Sequence, residues 1–181
     1  MFGKKLGVVM KSLILYKSKY GSSKQYAEWL NQEINSDIFE LDKCPSLENY
    51  NVIILGGGVY MGKINGSDFI SKNWDALKNK KVILFSTSGA EPGTPEIKGF
   101  YENSLPQEIR TQIRYFSLSG ACAYKDLTFL HKILSFIGSL LLKDPVKKHE
   151  MRYGFNRMKK ENINPILDYI KTLLMVNISI S

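Results

Sequence analysis

Short apolar runs of strand length, separated by segments of helical periodicity, most strongly limit the folds open to this chain. Such a run is apolar on both faces, so it needs cover on both sides, which amphipathic helices provide in parallel sheets. The pattern predicts a doubly wound α/β domain with right-handed crossovers. The five runs are Leu13–Tyr16, Ile38–Leu41, Val52–Leu55, Val82–Phe85 and Ile113–Leu118.

The segments between the runs have the spacing expected of helices with one buried face. A closing helix is expected at Asn164–Leu174, and another helix from about Ser67, which is a plausible N-cap. The buried face of the first helix is expected to contain Tyr26, Ala27, Leu30 and Ile34. That of the helix after Ser67 is expected to contain Phe69, Ile70, Trp74 and Leu77.

Composition supports one packed domain. With 181 residues, 44% of them hydrophobic, the chain has enough apolar surface for a core, which excludes a disordered chain. Cys44 and Cys122 form no Cys-x-x-Cys pair, so a disulfide scaffold, a zinc ribbon and a thioredoxin-type centre are excluded, and both are expected as buried thiols. We expect residues 1–10 to be an extension and 11–176 to form the domain.

Membrane and secretory signals are weak. No run reaches the roughly 18 apolar residues of a membrane span. The lysines and apolar residues of the first ten positions lead to no small-residue cleavage site, so we expect a cytoplasmic protein.

The segment after the first run, Ser18–Ser23, has the composition of an anion site. It leaves a strand and opens a helix, so free backbone N–H groups and the positive end of the helix dipole point at the space above it. Serine hydroxyls and a closely approachable glycine suit a phosphate. The alternative is an ordinary Ser/Gly-rich helix cap.

The segment Gly56–Gly62 resembles two nucleotide motifs without matching either. A Rossmann fingerprint needs glycine in place of Met61 and a position after the first strand, and a Walker A loop needs a hydroxyl in place of Ile64. We therefore interpret the segment as a flexible rim whose amides face a planar ligand, with Tyr60 against that ligand. The alternative is a tight strand-to-helix turn.

A third segment of small residues, Ser86–Pro95, follows the fourth run and offers hydrogen bonds without bulk. In doubly wound sheets, ligands bind beyond the carboxyl ends of the strands. Three such segments at strand ends predict a site for a flat molecule with a phosphate tail.

These motifs, in this order, resemble a flavodoxin-like FMN domain, and most closely the menaquinone-dependent protoporphyrinogen oxidase family. The resemblance covers Lys11–Leu174 and includes Ser-Gly-Ala-Cys-Ala-Tyr at 119–124. It implies a five-stranded sheet of order 2-1-3-4-5 with a helical insertion after the fifth strand. The matching motifs are Leu-Ile-Leu-Tyr at 13–16, Ser-x-x-Gly-Ser-Ser at 18–23, Ile-Leu-Gly-Gly-Gly-Val-Tyr-Met-Gly at 54–62 and Phe-Ser-Thr-Ser-Gly at 85–89.

The resemblance implies FMN as cofactor, with its phosphate at 18–23 and its isoalloxazine between 57–62 and 86–90. Flavodoxins usually clamp the ring between aromatics of both loops, whereas only Tyr60 is present here, which leaves one face open to a substrate or covered by Tyr124. The implied cofactor-binding residues are Ser18, Lys19, Tyr20, Gly21, Ser22, Ser23, Gly57, Gly58, Val59, Tyr60, Met61, Gly62, Ser86, Thr87, Ser88, Gly89 and Ala90.

The insertion, about Tyr124–Asn156, is longer than an ordinary connection between a strand and a helix. Its segment Leu127–Leu142 has the length of a helix with a broad apolar face, and Lys143–Lys160 contains seven basic residues against two acidic ones. An apolar helix beside a basic segment suits binding to the anionic inner face of a membrane, or to a large amphiphilic acid. The alternative is a helix packed on the sheet with a solvated basic edge.

No side-chain constellation for acid–base or nucleophilic catalysis is recognisable, no metal ligand set is expected, and His131 and His149 are the only histidines. Any chemistry is therefore expected from the flavin. The resemblance implies an FMN-dependent oxidoreductase that passes electrons from a porphyrinogen-type substrate to a quinone. The alternative is an electron-transfer flavodoxin for a protein partner. The basic cluster lacks interleaved aromatics, which argues against nucleic acid, and a homo-oligomer is left open.

Overall fold

Five parallel strands form the centre of the protein, and the computed structural model describes residues 10–123, 133, 136–140 and 144–180. The strands are β1 (Ser12–Lys17), β2 (Asp37–Glu40), β3 (Val52–Tyr60), β5 (Lys81–Ser88) and β6 (Arg114–Ser119), with β4 (Lys63–Ile64) antiparallel to the end of β3. Their spatial order is β2-β1-β3-β5-β6. Among the parallel strands alone this is 2-1-3-4-5, which confirms the implied topology.

Helices cover both faces of the sheet, and a short ribbon lies beyond β6. The ribbon pairs β7 (Ala121–Ala123) antiparallel with β8 (Gly154–Asn156), and we call it the insertion ribbon. Residues 136–140 are helical, and 3₁₀ turns occupy Leu41–Lys43 and Lys160–Ile163. The helices are α1 (Ser22–Ile34), α2 (Asp68–Lys72), α3 (Trp74–Leu77), α4 (Pro95–Ser104), α5 (Gln107–Arg110), α6 (Pro145–Tyr153) and α7 (Asn164–Ile180).

Two apolar cores flank the sheet because successive strand residues point to opposite faces. On one face, Ile14 and Ile54 pack with Leu30 of α1 and Ile166 of α7. On the other, Leu13, Leu55 and Leu84 of the strands pack with Ile70, Leu77 and Ile109 of α2, α3 and α5. The predicted inner positions of the helices therefore belong to the cores, with Tyr26, Ala27 and Leu30 fully buried.

The helix predicted from Ser67 is not continuous, which corrects the sequence interpretation. It ends at Lys72 and restarts at Trp74, because Asn73 departs from helical geometry (φ −110°, ψ 19°). The Phe69 carbonyl accepts hydrogen bonds from both the backbone amide (3.0 Å) and the side chain (2.9 Å) of Asn73. Ser67 does not cap it through its side chain. Its hydroxyl donates to the Ser104 carbonyl (3.3 Å).

Other boundaries also differ from expectation. The strands β3 and β5 run through positions predicted as loops, α4 was not predicted, and α7 continues to Ile180. Cys44 and Cys122 are half-buried rather than buried, and burial raises the pKa of the Cys44 thiol. The predicted extension lies outside the described residues except for residue 10. So do Tyr124, His131 and much of 127–142.

Within the part of the chain that is described, no helix has both the length and the apolar character needed to cross a membrane.

Candidate cofactor site

The three segments predicted to form a site lie side by side at one edge of the sheet. β3 lies between β1 and β5, and the register pairs Gly57 with both Lys17 and Ser86. The next position pairs Gly58 with Thr87. Because the strands are parallel, their carboxyl ends open on the same side, where ligands of doubly wound sheets bind.

The turn between β1 and α1 leaves an open cradle. Gly21 has φ +89°, a left-handed conformation that favours glycine, and a Cβ built there meets no atom within 4 Å. The first helical hydrogen bond runs from the Gln25 amide to the Gly21 carbonyl (2.9 Å). The amides before Gln25 therefore have no helical acceptor, and with the helix dipole they favour an anion above Gly21.

The serine hydroxyls of this turn have different environments. Both hydrogen-bonding functions of the Ser22 hydroxyl are used, because it donates to the Ala121 carbonyl and accepts from the Ala121 amide, both at 3.0 Å. Ser23 shares a buried hydrogen bond of 2.9 Å with Thr87. Among the described residues, the Ser18 hydroxyl has no hydrogen-bond partner. Ser22 and Ser23 thus join the turn to neighbouring strands, and Ser18 is the hydroxyl left for a ligand.

The glycines of β3 do not form a flexible rim, which corrects the prediction. They lie within a buried strand, and the space of each missing side chain is occupied by a different neighbour. A Cβ would lie 2.0 Å from Phe85 Cζ at Gly56, 2.1 Å from the Asn65 carbonyl oxygen at Gly57, and 2.9 Å from the Tyr60 ring at Gly58. Close packing therefore explains Gly56 and Gly57, and only Gly58 borders an aromatic of the expected site.

The rim itself is the tight turn between β3 and β4. Tyr60 pairs with Lys63, and the two residues between them have positive φ, +48° for Met61 and +76° for Gly62. Such φ values are uncommon for a non-glycine residue such as methionine. Met61 is also 99% exposed, so an apolar side chain projects from the edge of the site.

Tyr60 joins the rim to the turn after β1. Its ring centroid lies 5.9 Å from that of Tyr20, and the Lys19 ammonium lies 5.5 Å and 5.9 Å from the Tyr20 and Tyr60 centroids. Burial raises the pKa of Tyr60 to about 12, partly offset by a hydrogen bond with the Lys19 backbone. The Tyr60 hydroxyl is therefore protonated at neutral pH.

The end of β5 is held by hydrogen bonds on both sides. Ser86 shares a hydrogen bond of 2.7 Å with the Tyr115 hydroxyl, and the Ala90 amide donates to Ser88 Oγ (3.2 Å). The backbone of Ser88 accepts a hydrogen bond from the Gly120 amide (2.7 Å). The end of β5 is therefore fixed in place, and with the turn after β1 and the β3–β4 rim it forms the third wall of the candidate site. Gly89 at its tip is exposed.

Comparison with known proteins identifies the family. A family model described as a flavodoxin domain matches residues 13–137, more than half of the chain. The chain belongs to the flavodoxin domain family. Membership agrees with the observed strand order and supports FMN as the cofactor of a site at this edge of the sheet.

Curated relatives of this flavodoxin domain are found in two organisms. An uncharacterised protein of Methanocaldococcus jannaschii is 34% identical over 106 residues, 57% of this chain and 68% of that protein. The flavodoxin-like domain-containing protein BilS of Clostridioides difficile is 35% identical over 111 residues, 58% of this chain. The chain spans 58% of the length of BilS.

Solved structures with similar folds include two from bacteria. A flavoprotein of Lactobacillus acidophilus, solved in complex with FMN, has a TM-score of 0.46 and 21% identity, covering 61% of this chain and 93% of that chain. A WrbA-like flavodoxin protein of Agrobacterium tumefaciens has a TM-score of 0.47 and 18% identity, covering 61% and 82%. The family assignment rests on the sequence matches.

The flavodoxin domain also has site residues that sequence reasoning missed. Phe155 of the insertion ribbon packs on Gly89, where a Cβ would lie 2.7 Å from the Phe155 ring. Arg157 donates to the Gly89 carbonyl (2.7 Å) and pairs with Glu150. Its backbone amide also donates to the Gly120 carbonyl (3.1 Å). The local sequence contains no signal for the contacts with Gly89 and Gly120, because those partners are more than thirty residues away from Phe155 and Arg157.

Proposed function

We propose that this flavodoxin domain binds FMN, with the phosphate at the start of α1 and the ring between the 57–62 and 86–90 segments. The observation that supports this most directly is the alignment of Lys17, Gly57 and Ser86 on adjacent strands. It brings an anion-binding helix start next to two strand ends on one edge.

The described residues fit the group. A Cβ built at Gly21 meets no atom within 4 Å, which leaves open space beside the backbone for a phosphate, and the Ser18 hydroxyl and Lys19 lie in the same turn. FMN accepts and releases one or two electrons when it is bound. The protein holds the phosphate through backbone amides. It also places the ring and the protonated hydroxyl of Tyr60 beside the space between the 57–62 and 86–90 segments.

Within this function we favour an oxidoreductase similar to the quinone-linked protoporphyrinogen oxidases. In such a reaction the substrate loses two electrons and two protons, and the quinone gains them to become a hydroquinone. The motifs at 18–23, 54–62 and 119–124 support this choice.

A specific observation favours a second candidate, an electron carrier for a protein partner. Met61 projects an apolar side chain from the rim, and the exposed Lys19 and Lys63 lie on the same two segments. An apolar point with cations nearby complements an acidic protein surface, and opposite charges speed association. The chain's net charge of +8 adds to that preference.

Flavin loading followed by anaerobic reduction tests these proposals. We expect the purified chain to bind FMN with one-to-one stoichiometry, measured by quenching of flavin fluorescence. We then expect a menaquinone analogue to reoxidise the reduced protein. Two separate one-electron steps in a reductive titration, with no reoxidation by quinone, would instead favour the carrier. Failure to bind FMN would overturn the cofactor proposal itself.

We further propose that the insertion contacts an anionic membrane surface. The helical residues Phe136, Ile137 and Leu140 are each more than half exposed, and Arg152 lies 5.5 Å from the Phe136 ring. Apolar side chains beside a basic segment match the acyl and headgroup layers of such a membrane.

Vesicle co-sedimentation tests the membrane proposal. The unmodified chain is expected to bind phosphatidylglycerol vesicles more strongly than phosphatidylcholine vesicles. The double variant Phe136→Ser/Ile137→Ser is expected to reduce binding at least about 10-fold, because each apolar side chain contributes about 1.5–3 kcal/mol when fully buried and about 1.4 kcal/mol corresponds to a tenfold change. Leu174→Ser removes an exposed apolar residue of α7 and is the matched control. Equal sedimentation of the double variant and the control would contradict the proposal.

A further inference from the structure

The site has an aromatic wall that does not come from the three strand-end segments. Phe155 of β8 lies against Gly89, so close that a Cβ at Gly89 would be 2.7 Å from Phe155 Cζ. The 86–90 segment has no aromatic side chain of its own. A ring supplied from a strand more than sixty residues later therefore stands at that wall.

The insertion ribbon is tied to two of the three segments, which fixes the position of this ring. Ala121 of β7 exchanges two hydrogen bonds with the Ser22 hydroxyl at the start of α1. At the other side, Gly120 donates to the Ser88 carbonyl (2.7 Å), and the backbone just after β8 donates to Gly120 (3.1 Å). These bonds connect the ribbon to the start of α1 and to the end of β5.

Phe155 and its cross-strand partner lie on one face of the ribbon. Cys122 lies directly opposite Phe155, and directly opposed residues of an antiparallel pair project from the same face. Because Phe155 packs on Gly89, this face of the ribbon lies against the end of β5.

Arg157 orients the aromatic. Its guanidinium lies 5.1 Å from the Phe155 ring centroid, and it donates to the Gly89 carbonyl (2.7 Å). Glu150 of α6 forms an ion pair with the same guanidinium. A cation over the ring face and a carboxylate behind the cation together restrict the rotation of the Phe155 side chain.

We propose that Phe155 is a cofactor-binding residue and forms the second aromatic wall against the FMN ring. The inference rests on the proposed FMN binding. It assigns to the insertion a role in the site itself, in addition to any contact with a membrane or a partner. Arg157 acts by orienting Phe155, and we do not expect it to contact the flavin.

Binding titrations with substituted chains test this role. Phe155→Leu removes the aromatic ring while keeping an apolar side chain, and we expect the Kd for FMN to rise by about 3- to 10-fold, which is the range of an aromatic contact. If Phe155→Leu folds poorly, Phe155→Met replaces it, because methionine fills irregular space better. We expect the same rise in the Kd for FMN in that variant. Phe155→Tyr is expected to retain the affinity and the absorbance spectrum of the bound flavin.

Phe136→Leu is the matched control. Phe136 is also an aromatic of the insertion with an arginine over its ring, at 5.5 Å, but it is 51% exposed on the 136–140 helix. We expect its removal to change neither the Kd nor the flavin spectrum. An unchanged Kd and spectrum in Phe155→Leu, with normal FMN binding by the unmodified chain, would overturn this inference and leave the proposed function standing. No FMN binding by the unmodified chain would overturn both.

Discussion

Replacing Gly57 with alanine is expected to lower the free energy of unfolding by about 3 kcal/mol, at the upper end of overpacking effects. The added Cβ would lie 2.1 Å from the Asn65 carbonyl oxygen, and this oxygen belongs to the backbone and has no rotamer by which to move away. Asn65 is itself held to β3, because its amide donates to the Gly58 carbonyl (2.8 Å). Denaturation in urea measures the effect. The dependence of the free energy of unfolding on urea concentration is compared between Gly57→Ala and the unmodified chain.

Gly99→Ala provides the matched control. Gly99 lies inside α4, and a Cβ built there meets no atom within 4 Å. Alanine is expected to raise the free energy of unfolding by about 0.5–1 kcal/mol, because it restricts the unfolded chain and favours the helix. The same chemical change should therefore have opposite signs at the two positions. Equal effects would show that Gly57 is not packed against β4 and the residues after it.

Placing a carboxylate at Gly21 is expected to weaken FMN binding by roughly 100-fold. In Gly21→Asp the new side chain enters the open space proposed for the phosphate. Two like charges about 5 Å apart repel by about 3 kcal/mol at an effective dielectric constant of 20, which corresponds to this loss. Because φ +89° strains any residue other than glycine, the melting temperature of the flavin-free aspartate variant is compared with that of Gly21→Asn, which has the same backbone strain.

Gly21→Asn separates charge from shape. Asparagine has the size of aspartate and tolerates positive φ in the same way, so both variants share the strain that φ +89° imposes. We expect the asparagine variant to bind FMN much more tightly than the aspartate variant in a flavin fluorescence titration. Equal affinities would mean that the phosphate is not bound above Gly21.

Sequence patterns predicted the sheet and its two cores well, for a physical reason. A strand buried on both faces must be apolar throughout, and its helices must be amphipathic, so local composition is sufficient to find them. The continuous runs at Leu13 and Val52 became β1 and β3. The interruption of the helix at Asn73 was not predicted. It depends on the backbone conformation and hydrogen bonds of one residue rather than on hydropathy.

The interpretation of the glycine-rich segment shows where composition stops being informative. Three successive glycines predicted flexibility and close approach of a ligand. The structure instead has Phe85, the Asn65 backbone and Tyr60 in the spaces next to them. A sequence shows that a side chain is absent, but only the packing shows which atom takes its place.

The sequence by itself determined the α/β class, the strands, the helix faces and the three segments that meet at one edge of the sheet. These follow from hydrophobic periodicity and turn composition, which act over a few residues. Only the tertiary structure decided which hydroxyls are already paired, as at Ser22 and Ser23, and which distant ring packs on the end of β5, as Phe155 does on Gly89. Such contacts join residues far apart in the chain, and their geometry depends on the packing of the whole domain.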